Sequence, residues 1–283
     1  MEILILTDLL KEDLPNGLGG AELALEALIE LIRDGNKLRV RRCRDATPEF
    51  IRDFQGQIIV SNRQFLADGC KAELYKKKYL LWEHDASYLK SRDFGLYEDL
   101  KAPEDQIINR EIYEKAEKVV CQSFCQSFAL KQNLGIKAVN TKGNPWSQKH
   151  LDFCKTLQDI KKEYPYSVML HPYPTKGTDA AVKLCKDNDW PYTLIPPMDN
   201  QSFLVELAKS QIFVFTPKIF ETFSRVCQEA RFVNTDLLVN QRVAFSEESY
   251  SRLSGLAAIE RAERNNQKIK EFFLGNYETK FED

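Results

Sequence analysis

Short apolar runs alternate with amphipathic stretches along nearly the whole of this 283-residue chain. Ile3–Thr7, Leu38–Arg42, Gln57–Ser61, Tyr79–Trp82 and Lys118–Cys121 read as buried strands. Helical patterns at Ala21–Arg33, Gln64–Tyr75 and Ser123–Leu134 separate them. The second half repeats the order, with strands at Ser167–Leu170, Tyr192–Ile195, Ile212–Phe215 and Asp236–Asn240. Helices are expected between them at Thr178–Asp187, Ser202–Ala208 and Ser224–Phe232, and from Glu247 onward. A parallel strand pair needs a crossover of about a dozen residues, so this alternation predicts an α/β protein with parallel sheets. The pattern breaks at Gly143-Asn144-Pro145-Trp146. At roughly 150 residues per domain, the break divides the chain into two parallel α/β domains, 1–145 and 146–283, facing across a cleft. Ligands of such sheets bind at the carboxyl ends of the strands.

Composition removes several function classes. Lys and Arg number 40 against 42 Asp and Glu, so no global field draws the protein to nucleic acid or an anionic membrane. Weak peripheral contact with a membrane remains compatible with this balance. No apolar run approaches the ~20 residues that span a bilayer, and the first strand lacks the marks of a signal peptide. Seven scattered cysteines without CxxC spacing read as buried thiols in a reducing compartment, so the chain is expected to be cytoplasmic. His150 and His171 have no matching Cys or acidic cluster, and no metal set is expected.

Four segments carry chemistry. In Phe215–Ala230 a strand ends, a loop carries Glu221, and a helix is expected to begin near Thr222–Ser224. The free N–H groups of a first helical turn attract an anion such as a diphosphate. Glu221 and Glu229 would flank it and accept hydrogen bonds from hydroxyls, although a solvated pair of glutamates gives the same spacing. In Asn16-Gly17-Leu18-Gly19-Gly20-Ala21-Glu22, Gly19 and Gly20 let backbone approach a ligand at another helix start. In Lys176-Gly177-Thr178, a lysine at a strand-to-helix turn reaches a phosphate, Gly177 permits close approach, and Thr178 would cap the helix. In Trp82-Glu83-His84-Asp85, His84 stands at a strand end between two carboxylates that would raise its pKa or orient its ring. Pro197-Met198 follows a strand and is placed beside a nucleotide base.

The Gly-Gly-Ala-Glu loop at Gly19–Glu22, the Lys176-Gly177 pair and the Glu-x7-Glu signature from Glu221 to Glu229, in this order, resemble the family 4 retaining glycosyltransferases, which have the GT-B fold. The resemblance implies two Rossmann-like domains, a UDP- or GDP-sugar donor held mainly by the second, and a glycan, lipid or small-molecule acceptor. Glu221 would contact the transferred sugar and Glu229 the ribose. Lys176 and the amides of Thr222, Phe223 and Ser224 would hold the diphosphate, with Gly19 and Gly20 closing over it. His84 would lie beside the sugar. Transfer with retention then needs no metal, no cofactor and no protein nucleophile. The final helix would cross back to the first domain. Two departures stand out. His171 occupies the position where the family usually has Arg, so Arg225 is a substitute source of charge. Thr222 and Ser224 replace the usual glycines. These departures keep two alternatives open: an inactive sugar-nucleotide-binding protein and a sugar-nucleotide epimerase.

Overall fold

The computed structural model describes residues 1–10, 13 and 19–281. The Asn16–Leu18 part of the expected glycine loop therefore lies outside the described residues. The first sheet contains β1 (Glu2–Thr7), β2 (Lys37–Arg42), β3 (Gln57–Val60), β4 (Tyr79–Trp82), β5 (Lys118–Cys121) and β6 (Val139–Asn140) in the order β2-β1-β3-β4-β5-β6. Every pairing in it is parallel. The second contains β7 (Tyr164–Met169), β8 (Tyr192–Ile195), β9 (Ser210–Phe215) and β10 (Asp236–Val239) in the parallel order β10-β9-β7-β8.

Helices cover these sheets because their apolar positions recur on one face. In α1 (Gly20–Arg33) that face is Leu25, Leu28, Ile29 and Ile32, all buried, with Glu22 in the first turn and Arg33 in the last, as the helix dipole favours. The other helices bearing on the site are α2 (Pro48–Asp53), α3 (Asp68–Leu74), α4 (Arg110–Glu114), α5 (Phe124–Leu134), α6 (Gln148–Thr156), α7 (Thr178–Asp187), α8 (Asn200–Ala208), α9 (Arg225–Phe232) and α10 (Gly255–Phe273). Ala258, Ile259 and Ala262 of α10 pack in the second sheet's core, while Ile269, Phe272 and Phe273 pack with Ile3, Ile5 and Trp82 in the first. Among the described residues, no helix is long and apolar enough to cross a membrane.

Two helix starts fall well after the positions the sequence pattern suggests. The helix expected from Gln64 begins at Asp68, because the amides of Gln64 and Phe65 donate to the Asp8 carboxylate at 2.7 and 3.1 Å. The helical stretch expected from Glu247 is two short 3-10 turns, Ala244–Glu247 and Ser249–Arg252, followed by α10 from Gly255.

Candidate active site

Strand order reverses between β1 and β3 in the first sheet and between β7 and β9 in the second. Carboxyl ends beside such a reversal form a crevice. The loops after β7 and β9 carry Lys176 and Glu221, and Lys176 Nζ lies 2.7 Å from Glu221 Oε1. The two loops are locked together. Gly177 adopts φ +74°, and a Cβ there would fall 1.8 Å from the Thr216 carbonyl oxygen, so only glycine fits. Lys218 N donates to Thr175 O at 2.8 Å across the same seam. Thr178 does not cap α7 as its position suggested. Its hydroxyl donates to Met169 O and accepts from the His171 amide, tying the helix start to the end of β7. His171 Nδ1 accepts from the Tyr173 amide, and burial with nearby Lys176 lowers its pKa.

α9 starts at Arg225, slightly later than the pattern suggested, because Ser224 sits at φ +75° and cannot continue the helix backward. As a result the amides of Thr222, Phe223, Ser224, Arg225 and Val226 have no acceptor among the described residues. The segment that carries them abuts the first domain. Thr222 Oγ1 donates to His84 O at 2.6 Å, and Ser123 Oγ donates to Thr222 O at 2.6 Å. Phe220 N donates to Asp93 at 3.2 Å. The N-terminus of α1 meets the same place: a Cβ on Gly20 would lie 3.4 Å from Arg225 Cδ. Gly19 is the residue just before that helix and is exposed.

Glu229 is buried one side chain away. It accepts from Asn200 Nδ2 at 3.2 Å and lies 3.5 Å from His150 Nε2. Burial raises its pKa, partly offset by Arg225. The Arg225 guanidinium stacks 3.6 Å over Trp146 and donates to Pro145 O; burial lowers its pKa to about 10. Arg225 is thus committed to Trp146 and Pro145, while Glu221 pairs with Lys176. Its Nε and His150 Nε2 are buried without hydrogen-bond partners. Such orphans usually mark a place that a water or ligand fills. A cleft of about 660 Å³ between α1 and α6 opens on His150 and Arg225. The sequence pattern gave His150 no acidic neighbour, because Glu229 lies on a different helix.

His84 reverses the expectation drawn from its neighbours. Glu83 is turned away into a buried pair with Arg63 at 2.9 Å and hydrogen bonds from Ser87 and Tyr113. Burial pushes the Glu83 carboxyl up, but Arg63 and the Tyr113 hydroxyl outweigh it and hold the group ionised. Asp85 pairs with Arg92. The His84 ring is instead held by Ser61 and Gln122, which sequence spacing did not single out. Gln122 Nε2 donates to the Glu83 carbonyl, a pure acceptor, and lies 3.0 Å from His84 Nδ1. Nδ1 therefore accepts, and Nε2 carries the proton toward Ser61 Oγ at 2.8 Å. Burial lowers the ring's pKa to about 4, so it is a neutral donor near pH 7.

Met198 lies apart from this group, 38% exposed on the loop between β8 and α8. Among the described residues, no three His, Cys, Asp or Glu side chains are grouped to hold a metal ion.

No protein-family model and no curated protein matches this sequence. Solved structures do match along nearly the full length. Sucrose-phosphate synthase from Thermosynechococcus elongatus aligns with TM-score 0.61 at 12% identity, covering 99% of this chain and 100% of that one. Anabaena HepE in complex with UDP aligns with TM-score 0.58 at 13% identity, covering 96% and 91%. AviGT4, a glycosyltransferase of avilamycin A biosynthesis, aligns with TM-score 0.54 at 12% identity, covering 97% and 98%. The fold is GT-B. At these identities the likeness is one of architecture: two parallel α/β domains facing each other, with the loops after β7 and β9 lining the crevice of the second GT-B domain.

Proposed function

We propose that this GT-B protein is a retaining, metal-independent glycosyltransferase that moves a hexosyl group from a nucleotide diphosphate sugar to a hydroxyl acceptor. The observation that carries the reading is the run of free amides from Thr222 to Val226, beside Lys176 and Glu221 and opposite Gly20 of the other domain. Fixed N–H dipoles and a lysine stabilise the negative charge that develops on a departing nucleoside diphosphate, which is the largest demand of this chemistry. The structural neighbours include HepE bound to UDP and a named glycosyltransferase, which supports sugar-nucleotide use.

Each side chain then has a task. The diphosphate draws Lys176 away from Glu221, and the released carboxylate accepts from a hydroxyl of the transferred sugar. Glu229 takes the ribose hydroxyls, with the orphan nitrogens of His150 and Arg225 beside them. Neutral His84 donates Nε2–H to a sugar hydroxyl in exchange for Ser61 and is not a general base. His171 lines the phosphate side next to Lys176, and Met198 borders the base once a ligand draws its loop in.

The test compares wild type with Glu221→Ala. UDP and GDP binding are measured by calorimetry, and UDP-glucose and GDP-mannose hydrolysis in the presence and absence of a chelator. Wild type should turn over one donor with chelator present, and Glu221→Ala should lose about 100-fold or more in rate while keeping nucleotide affinity within a few-fold. Equal rates in the two proteins, or abolition of wild-type turnover by the chelator, would overturn the assignment.

A further inference from the structure

Outside the crevice just described, the first domain holds a second pocket of about 450 Å³. It sits at the carboxyl edge of the first sheet. Residues 62–64 follow β3, residues 87–92 follow β4, and α3 and α4 form its sides. His84 stands at the same edge. The pocket's Arg92 precedes Asp93, whose carboxylate accepts from Phe220 next to Glu221. The pocket is therefore joined to the proposed donor loop by one hydrogen bond.

Its lining is unequal in charge. Arg63, Lys71, Lys90, Arg92 and Arg110 contribute five cations, against Asp68 and Glu111. Arg63 is fixed by its buried pair with Glu83 and forms the floor. Lys71, Arg92 and Arg110 pair with Asp68, Asp85 and Glu104 in solvent-exposed contacts. Exposed pairs of this kind are worth about 1 kcal/mol or less, so a ligand anion exchanges with them at little cost. Lys90 has no carboxylate partner among the described residues; only its backbone amide is engaged, with Gln106 O. The side-chain amides of Asn62 and Gln64 make no hydrogen bond within the described residues and also face the pocket. Cations that can be freed, uncommitted amides and a wall including Tyr75 suit a ligand with one acidic group and several hydroxyls.

We propose that this pocket binds an anionic polyhydroxy acceptor, such as a sugar phosphate or a sugar acid, with its acidic group against Lys90 and Arg92. As an acceptor site it rests on the transferase reading; as a binding site it stands alone. Calorimetry with glucose 6-phosphate, glucuronate and glucose, each with and without saturating UDP, tests it. The full chain is compared with a Lys90→Ala, Arg92→Ala double variant. At least one of the two anions should bind about tenfold or more tightly than glucose, with that preference shrinking as salt rises. Which anion binds tells phosphate from carboxylate. The double variant should lose the preference and keep UDP affinity within twofold. Equal binding of all three sugars, or an unchanged preference in the variant, would overturn the pocket. Inorganic phosphate binding as tightly as glucose 6-phosphate would reduce it to an adventitious ion site and overturn the acceptor class. Failure of UDP to bind while sugar anions still do would remove the donor reading and leave the pocket standing.

Discussion

Two imidazoles in the crevice are held neutral by burial, and this has a consequence for acid stability. His84 and His150 have pKa values lowered to about 4 and about 3. An unfolded chain protonates both rings below the ordinary imidazole value, while the folded chain protonates neither until far lower. Unfolding then takes up protons, so stability falls as pH drops through that window. Each ring should contribute about 2 kcal/mol of loss between pH 7 and pH 5. Urea unfolding at the two pH values measures this, and a His150→Phe variant should lose about 2 kcal/mol less over the same window. Coincident midpoints at pH 7 and 5 would mean the rings are charged in the fold. The same residues mark the reach of sequence reasoning. Adjacent acids at Glu83 and Asp85 suggested a raised His84, but side chains alternate along a strand end and the acids face Arg63 and Arg92 instead. Ser61 and Gln122, distant in sequence, set the ring.

At the level of elements, the alternation of strands and helices was readable because most strands are short apolar runs and the helices between them have one apolar face; β2, Lys-Leu-Arg-Val-Arg-Arg, alternates instead, as suits the edge of its sheet. The joints were less so. Asp8 delays α3 across 56 positions of chain, and the left-handed Ser224 delays α9. Neither leaves a local mark, since one depends on a distant partner and the other on a conformation serine rarely adopts. Glu221, Lys176 and Gly177 were visible as motif positions, and the structure brings them to one seam, whereas Met198 stays outside it. That seam makes a strong prediction. Gly177→Ala must shift the Thr216 carbonyl and adopt a positive φ, so the loop bearing Lys176 should detach from the one bearing Glu221. UDP affinity should drop about tenfold or more, with far-UV circular dichroism preserved. Undiminished affinity would show that the two loops need not be docked for binding.

Over the whole molecule, each half of the GT-B fold has its own core, and α10 contributes to both. Beyond it, Tyr277 and Phe281 pack against Phe272, and the Tyr277 hydroxyl accepts from Gln57 at 3.2 Å. Removing residues 276–283 takes away these half-buried rings and uncovers the fully buried Phe272. The truncated protein should lose about 2–3 kcal/mol of stability while UDP affinity stays within twofold. Thermal melts and calorimetry measure the two effects; an unchanged melt would mean the tail contributes nothing. The reach of α10 also orders events during synthesis. Ile3, Ile5 and Trp82 gain their Ile269, Phe272 and Phe273 neighbours only after the second domain has been translated. A nascent first domain therefore waits on the ribosome with part of its apolar sheet face wet, and a fragment expressed without that helix would tend to aggregate.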